Sequence, residues 1–333
     1  MILGCAGHEL ADDERRLFAD AQPLGFILFA RNVRDPAQLR RLTTMLRDAV
    51  GRADAPILVD QEGGRVQRLR PPHWRAAPPA AAFGRLHAVA PSAALEATRL
   101  NHRLIGLEAL RVGFDTVCAP VGDVPVEGAH DVIGDRAFAR DPSAVAALAA
   151  AAIEGLADVG VTAVMKHLPG HGRAGADSHL EMPRVEAGRT ELLAHDGVPF
   201  RALRHAAPWA MTAHVLYPAL DPSRPGTVSP AVLRFIREDL GFDGVLLSDD
   251  LAMKALGGPP GQRVADSLAA GCDVALYCAG DIETNRAILG TAPRLAAAAA
   301  ERLRRAAATR CRVAPDPVRW QGRLDGLLGG LTP

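Results

Sequence analysis

Short, continuously apolar runs recur along the chain, each closed by small or polar residues and followed by a longer segment with helical spacing. The candidate strands are Ile2 to Cys5, Gly25 to Phe29, Pro56 to Asp60, Asp115 to Ala119, Thr162 to Lys166, Trp209 to Ala213, Gly244 to Ser248 and Val274 to Cys278. Most are apolar throughout rather than alternating, which is the pattern of parallel strands covered on both faces. Between them lie helical stretches at Asp12 to Ala21, Ala37 to Val50, Ser92 to Val112, Pro142 to Val159, Pro230 to Leu240 and Gly261 to Ala270. No Ser/Gly-rich linker divides the series, and the Pro-rich stretch Pro71 to Pro79 lies inside it. The pattern predicts an α/β protein, a single (β/α)8 TIM-type barrel forming one domain over residues 1–333. A doubly wound open sheet is the alternative.

Composition narrows the partners. Of 333 residues, 48% are hydrophobic and 38 Lys+Arg balance 38 Asp+Glu, so the chain is neither disordered nor equipped with a long-range field for nucleic acid or an anionic membrane. A small-molecule partner recognised by a local site is expected. Cys5, Cys118, Cys272, Cys278 and Cys311 are odd in number and contain no CxxC pair, which argues against a disulfide framework and a structural zinc. The N-terminus has neither the basic lead nor the apolar stretch of a secretory signal, and no run reaches the roughly 18 apolar residues of a membrane span. A cytoplasmic location is expected. The Ala- and Arg-rich stretch Arg294 to Arg312 reads as a solvated amphipathic helix with Leu295, Ala299, Leu303 and Ala306 as its packing stripe. Only Lys166 and Lys254 are lysine; a GC-rich codon pool is the bland cause, and the alternative is that a lysine in this background marks a place where arginine cannot substitute.

Chemistry gathers where the strands end, as it does in a barrel. The third run ends in Asp60-Gln61-Glu62-Gly63-Gly64-Arg65, the fifth in Lys166-His167, the sixth runs to His214, and the seventh ends in Ser248-Asp249-Asp250. Buried charges are costly unless paired, so several at one rim point to a site. After the fifth run, glycines at 170, 172 and 175 suggest a mobile loop ending in Asp177-Ser178-His179, where a carboxylate two residues before an imidazole can raise its basicity. Asp249 can serve as nucleophile, metal ligand or cap, and spacing does not decide which of Asp249 and Asp250 looks inward. Glu62 and Arg65 are expected to pair with one another, and His171 to hold the loop.

Four motifs in order, Asp60-Gln-Glu-Gly-Gly-Arg-Val-Gln-Arg68, Val132 to Pro142, Lys166-His167-x-Pro-Gly-His-Gly to Asp177-Ser178-His179, and Gly241 to Met253, resemble glycoside hydrolase family 3. Within it the chain is similar to the single-domain bacterial β-N-acetylhexosaminidases of cell-wall recycling. The resemblance implies that Asp249 is the nucleophile and His179 the acid/base, assisted by Asp177. It also implies that Asp60, Arg68, Arg136, Lys166 and His167 hold the hydroxyls of an N-acetylglucosamine residue. Retaining hydrolysis of N-acetylglucosaminyl-1,6-anhydro-muropeptides by a monomer, without cofactor or metal, follows as its expectation. Ala137 departs from the serine common at that place in the family.

Three rival readings remain distinct. A phosphorylase of the same family would use phosphate where the hydrolase uses water. A metal-dependent barrel hydrolase would take ligands from His167, His171, His179, His214 and Asp249, although no His-x-His strand end or helical His pair is present. A catalytically inert sugar-binding barrel would not need the Asp-Ser-His triplet.

Overall fold

The computed structural model describes residues 1–176, 182–308 and 313–329. Eight parallel strands close into a barrel in chain order, the last pairing with the first, with helices around the outside. The strands are Ile2–Leu3, Gly25–Leu28, Ile57–Val59, Thr116–Val117, Thr162–Leu168, Trp209–Thr212, Val245–Asp250 and Val274–Tyr277. Every one falls on an apolar run of the sequence. Their inner faces stack Ile2, Ile27, Leu58, Val164, Met211 and Leu247 with their neighbours into one cluster, and their outer faces pack against the helices in a second, larger one. Burial on both sides explains why the runs do not alternate.

Two strands run further than the sequence suggests, the fifth by His167 and Leu168 and the seventh by Asp249 and Asp250, and both carry polar side chains into the barrel mouth. The fifth includes Lys166 and His167, and its ladder with the sixth shifts register between Met165 and Leu168. The seventh includes Asp249 and Asp250. There the eighth strand's Val274 and Leu276 face Leu247 and Asp250, so one residue bulges out. The Ser248 hydroxyl repairs the ladder by accepting the Leu276 N–H at 2.8 Å. Bulges re-aim side chains, and here they turn neighbouring residues toward one mouth.

The helix Ala297–Ala308 lies against the opposite, N-terminal end of the barrel, where Leu303 and Ala306 join the inner cluster and Ala299 is buried. Leu295, expected in that stripe, instead stands 46% exposed ahead of the helix, which begins only at Ala297. Among the described residues no helix is long and apolar enough to cross a membrane.

Candidate active site

At the C-terminal end of the strands a pocket is lined by Asp60, Glu62, Arg68, Arg136, Lys166, His167, His171, Asp249 and Asp250, with Phe29, Met211 and Met253 among its apolar walls. All six of the candidate site residues that fall in the described part of the chain therefore share one cavity. Asp177 and His179 lie outside the described residues.

Asp60 ends the third strand, and Glu62 and Arg68 sit on the small antiparallel hairpin Gln61–Gly63 and Val66–Gln67 that follows it. Gln61 fixes this hairpin from within: its side-chain oxygen accepts the N–H groups of Arg68 and Leu69 at 2.8 and 3.0 Å, and its amide donates to the Leu69 carbonyl at 3.0 Å. Gly63 has φ +103° and faces the Pro78 carbonyl where any Cβ would overlap it, so only glycine fits.

The pocket floor is a chain of alternating charge. Arg68 Nη2 lies 3.0 Å from Asp60, Asp60 lies 2.9 Å from Lys166 Nζ, and Lys166 lies 2.6 Å from Glu62. Arg136 closes the series with two bonds of 2.9 Å to the Glu62 carboxylate, the bidentate geometry that suits guanidinium. Lys166 is 2% exposed. Burial alone would raise the carboxylate pKa values, but Lys166 with Arg68 drives Asp60 well below the ordinary range, and Lys166 with Arg136 brings Glu62 to about 2. The same pairs outweigh desolvation at Lys166 and hold its ammonium above its usual value. Asp60, Glu62 and Lys166 are thus held in their charged forms.

Glu62 does not pair with Arg65. Arg65 reaches instead to Asp131 and Asp135, and donates to the carbonyls of Asp131, Val132 and Ile133 at 2.5, 3.1 and 3.2 Å. It thereby clamps the loop that carries Arg136, while Glu62 is left for the inward cations. Ala137 is buried in a small apolar cluster with Val121 and Ile133, where a methyl group fits.

Asp123, which the sequence reading did not single out, is completely buried behind the pocket. Its carboxylate accepts from His167 Nδ1 at 2.7 Å and from the backbone N–H groups of His167 and His171 at 3.2 and 2.7 Å. A carboxylate facing Nδ1 places the hydrogen there, leaving Nε2 of His167 for the pocket. The available signal was an acid inside the apolar run Val121 to Val126, directly beyond the fourth strand. His171 stacks edge-on against His167 with ring centroids 5.7 Å apart. Burial, then the neighbouring His167, lowers its pKa to about 4.

The two adjacent acids separate by environment. Burial would raise Asp249, yet His214, His167, the Asp250 N–H and Lys166 together hold it below its usual value. Asp250 is raised, first by burial, with Asp249 adding to it while the amides it meets oppose the shift. Its Oδ1 accepts from the N–H groups of Ala252 and Cys278 at 2.9 and 3.0 Å, so Asp250 caps the turn and Asp249 stays ionised toward the cavity.

The loop after the fifth strand begins anchored rather than free. The Gly170 carbonyl accepts from the Tyr217 hydroxyl at 2.9 Å, Arg173 binds Asp196 and Glu191 at 2.7 Å each, and the Ala174 carbonyl accepts from His130 N–H at 3.0 Å. A Cβ on Gly172 would overlap the Val124 carbonyl. Gly170, at φ +142°, and Gly172 both meet neighbours that a Cβ would crowd. Among the described residues no three of His, Cys, Asp and Glu gather as a metal-holding group.

A parallel barrel with acids and cations packed at its C-terminal mouth has the place and the lining of a site for a polar ligand, and the chain belongs to glycoside hydrolase family 3. The family described as glycosyl hydrolase family 3, N-terminal domain, matches residues 3–309. Among curated relatives, the Beta-hexosaminidase of Alkalilimnicola ehrlichii is 42% identical over 285 residues, covering 84% of this chain and 80% of its own. That of Thiobacillus denitrificans is 42% identical over 281 residues, with 84% and 77% covered. NagZ from Neisseria gonorrhoeae, solved in complex with N-trifluoroacetyl-D-glucosamine, superposes with a TM-score of 0.87 at 31% identity, covering 100% of this chain and 98% of that one.

Proposed function

We propose that this enzyme is a retaining β-N-acetylglucosaminidase that removes terminal β-linked N-acetylglucosamine from fragments of peptidoglycan turnover. Asp249 attacks the anomeric carbon and forms a covalent glycosyl-enzyme, while His179, assisted by Asp177, protonates the departing oxygen and then activates water. Asp60, Arg68, Arg136, Lys166 and His167 hold the sugar hydroxyls. The reaction uses the chain's own residues as a monomeric catalytic unit in the cytoplasm. Buried free cysteines at 5, 118, 272 and 278 accord with a reducing compartment.

The observation that carries this reading is the place of Asp249, which lines the cavity with its Oδ1 accepting the Asp250 N–H at 2.8 Å while the pocket cations are paired with other carboxylates. An ionised carboxylate is the form that attacks, and pre-paired polar groups bind hydroxyls without rearranging. The relative solved with a 2-acylamino sugar supports the substrate class. The pocket cations Lys166, Arg136 and Arg68 are each bonded to a carboxylate, which leaves none of these three free to hold a phosphate acceptor and favours water.

A slow 2-fluoro glycoside should leave a covalent adduct on Asp249, mapped by intact mass and peptide sequencing. Labelling of Asp250 would overturn the assignment. A panel of aryl β-glycosides differing at the 2-position should favour the 2-acetamido sugar, and product formation should not respond to added phosphate.

A further inference from the structure

Behind Asp249, on the side away from the cavity, three fully buried polar residues form a continuous chain. Thr212, His214 and Thr227 are each 0% exposed, and none of them lines the pocket. His214 Nε2 lies 2.9 Å from the Asp250 carbonyl oxygen. A carbonyl only accepts, so Nε2 carries the hydrogen and Nδ1 of the neutral ring accepts. Its partner is the Thr227 hydroxyl at 2.7 Å, which must then donate. Thr227 Oγ1 also lies 3.2 Å from the Ala213 carbonyl, a longer path for the same hydrogen. The lone pairs of Thr227 are left for the Thr212 hydroxyl, 2.7 Å away, and Thr212 in turn accepts the Asp249 N–H at 3.2 Å.

All the hydrogens therefore run one way, from the amide of Asp249 through two hydroxyls and an imidazole to the carbonyl of Asp250. This chain grips both ends of the dipeptide that carries the carboxylate. The carboxylate itself is held by the amide between them, since Asp249 Oδ1 accepts the Asp250 N–H at 2.8 Å. Rotation of that peptide would turn the carboxylate with it. Burial lowers the pKa of His214, in keeping with a neutral ring of fixed tautomer.

We propose that Thr227, with Thr212 and His214, is a positioning residue that aims the Asp249 carboxylate at the reacting carbon without touching the sugar. The inference rests on the reading of Asp249 as nucleophile. Thr227→Val keeps the shape and removes the hydroxyl. It should slow both kcat/KM and the rate of adduct formation from a 2-fluoro glycoside by about 10- to 100-fold, the scale expected when a reacting group is misplaced by a fraction of an ångström to an ångström. Inhibition by N-acetylglucosamine should stay within about threefold, because ground-state contacts are untouched. Thr227→Ser, which restores the hydroxyl, should recover most of the rate.

If Thr227→Val does not fold, Thr212→Val interrupts the same chain one link away and carries the same expectation. Wild-type adduct formation in the valine variant, or equal impairment of the valine and serine variants, would overturn the proposal. So would a parallel loss of sugar binding and turnover, which is the mark of a merely structural role. If Asp249 is labelled while the valine variant keeps full rate, the positioning chain alone is wrong. Labelling elsewhere removes the nucleophile and the chain together.

Discussion

At the N-terminal end of the strands the barrel interior is stopped by Leu303 and Ala306; Arg302 holds the buried Asp273 there at 2.9 Å, and outside it Arg305 pairs with Asp243 at 2.8 Å with both side chains half exposed. At the C-terminal end, Asp60, Glu62, Lys166 and Arg136 pair over similar distances but almost out of contact with water. The contacts look alike and differ in cost. Half-exposed pairs change stability little in either direction. Buried pairs lose hydration that their mutual attraction only partly returns, so apolar side chains would hold the fold at least as well. The first end is built to close a core, and the second keeps expensive charge where a ligand can use it.

The largest expected effect tests that contrast directly. Asp249→Ala should lower kcat by about 10⁴-fold or more, as loss of a covalent nucleophile does. Its melting temperature should fall only slightly, because the groups that favour the ionised carboxylate do little more than offset the cost of burying it. A variant that loses stability and activity together would mean that the carboxylate belongs to the core. Next in size is Lys166→Arg. The ammonium sits 2.9 Å from Asp60 and 2.6 Å from Glu62, and a longer planar fork cannot occupy that point. The Michaelis and inhibition constants for the sugar should rise about tenfold or more, near 1.4 kcal/mol per factor of ten. Unchanged constants would show that this lysine is replaceable by any cation.

How much of this could be read in advance follows from what each feature depends on. All eight strands were legible because a parallel strand buried on both faces is apolar at every position. The mouth was legible because Asp60, Lys166, His167 and Asp249 stand where such runs stop. The bulges were not, since register is a relation between two strands: nothing in His167-Leu168 or Asp249-Asp250 says that the strand continues through them. Partnership was missed for the same reason. Glu62 and Arg65 are close in sequence, yet Glu62 meets Arg136, 74 positions away. Asp123 escaped notice because a carboxylate that orients an imidazole carries no spacing rule. Gly170 and Gly172 show that a glycine permits close approach as readily as motion. Asp177 and His179 fall outside the described residues, and their roles rest on the motif.

A smaller effect should appear with acid. Burial first of all lowers His171 at the mouth and His102 among the outer helices from the usual 6.5 to about 4, and it lowers His214 as well. In the unfolded chain these rings bind protons near pH 6.5, whereas in the folded enzyme they stay neutral to a lower pH. The unfolded state therefore holds more protons through this window. Stability is full above about pH 6.5 and falls as the pH drops toward 4, by about 1.4 kcal/mol per pH unit for each proton of difference. Thermal unfolding across pH 4 to 7 should show that slope. His102→Gln, far from the pocket, should flatten it while kcat/KM at neutral pH stays as in the parent; an unaltered slope would remove His102 from the account.

The mildest changes belong to the closed end. Leu303 is partly buried against the inner cluster, so Leu303→Ala removes contacts at a site open on one side and should cost about 1–2 kcal/mol, below the range for a fully enclosed leucine. Arg305→Ala breaks a pair whose members are 49% and 58% exposed, and should change stability by no more than about 0.5 kcal/mol. Neither replacement touches the mouth, so kcat and KM at 25 °C should match the parent while denaturant midpoints separate the two variants. The comparison sharpens if only the leucine moves the midpoint, because apolar contact rather than charge then holds that end. A large loss from Arg305→Ala would mean that this rim pair bears structural weight despite its exposure, and the distinction between the two ends would shrink to one of burial alone.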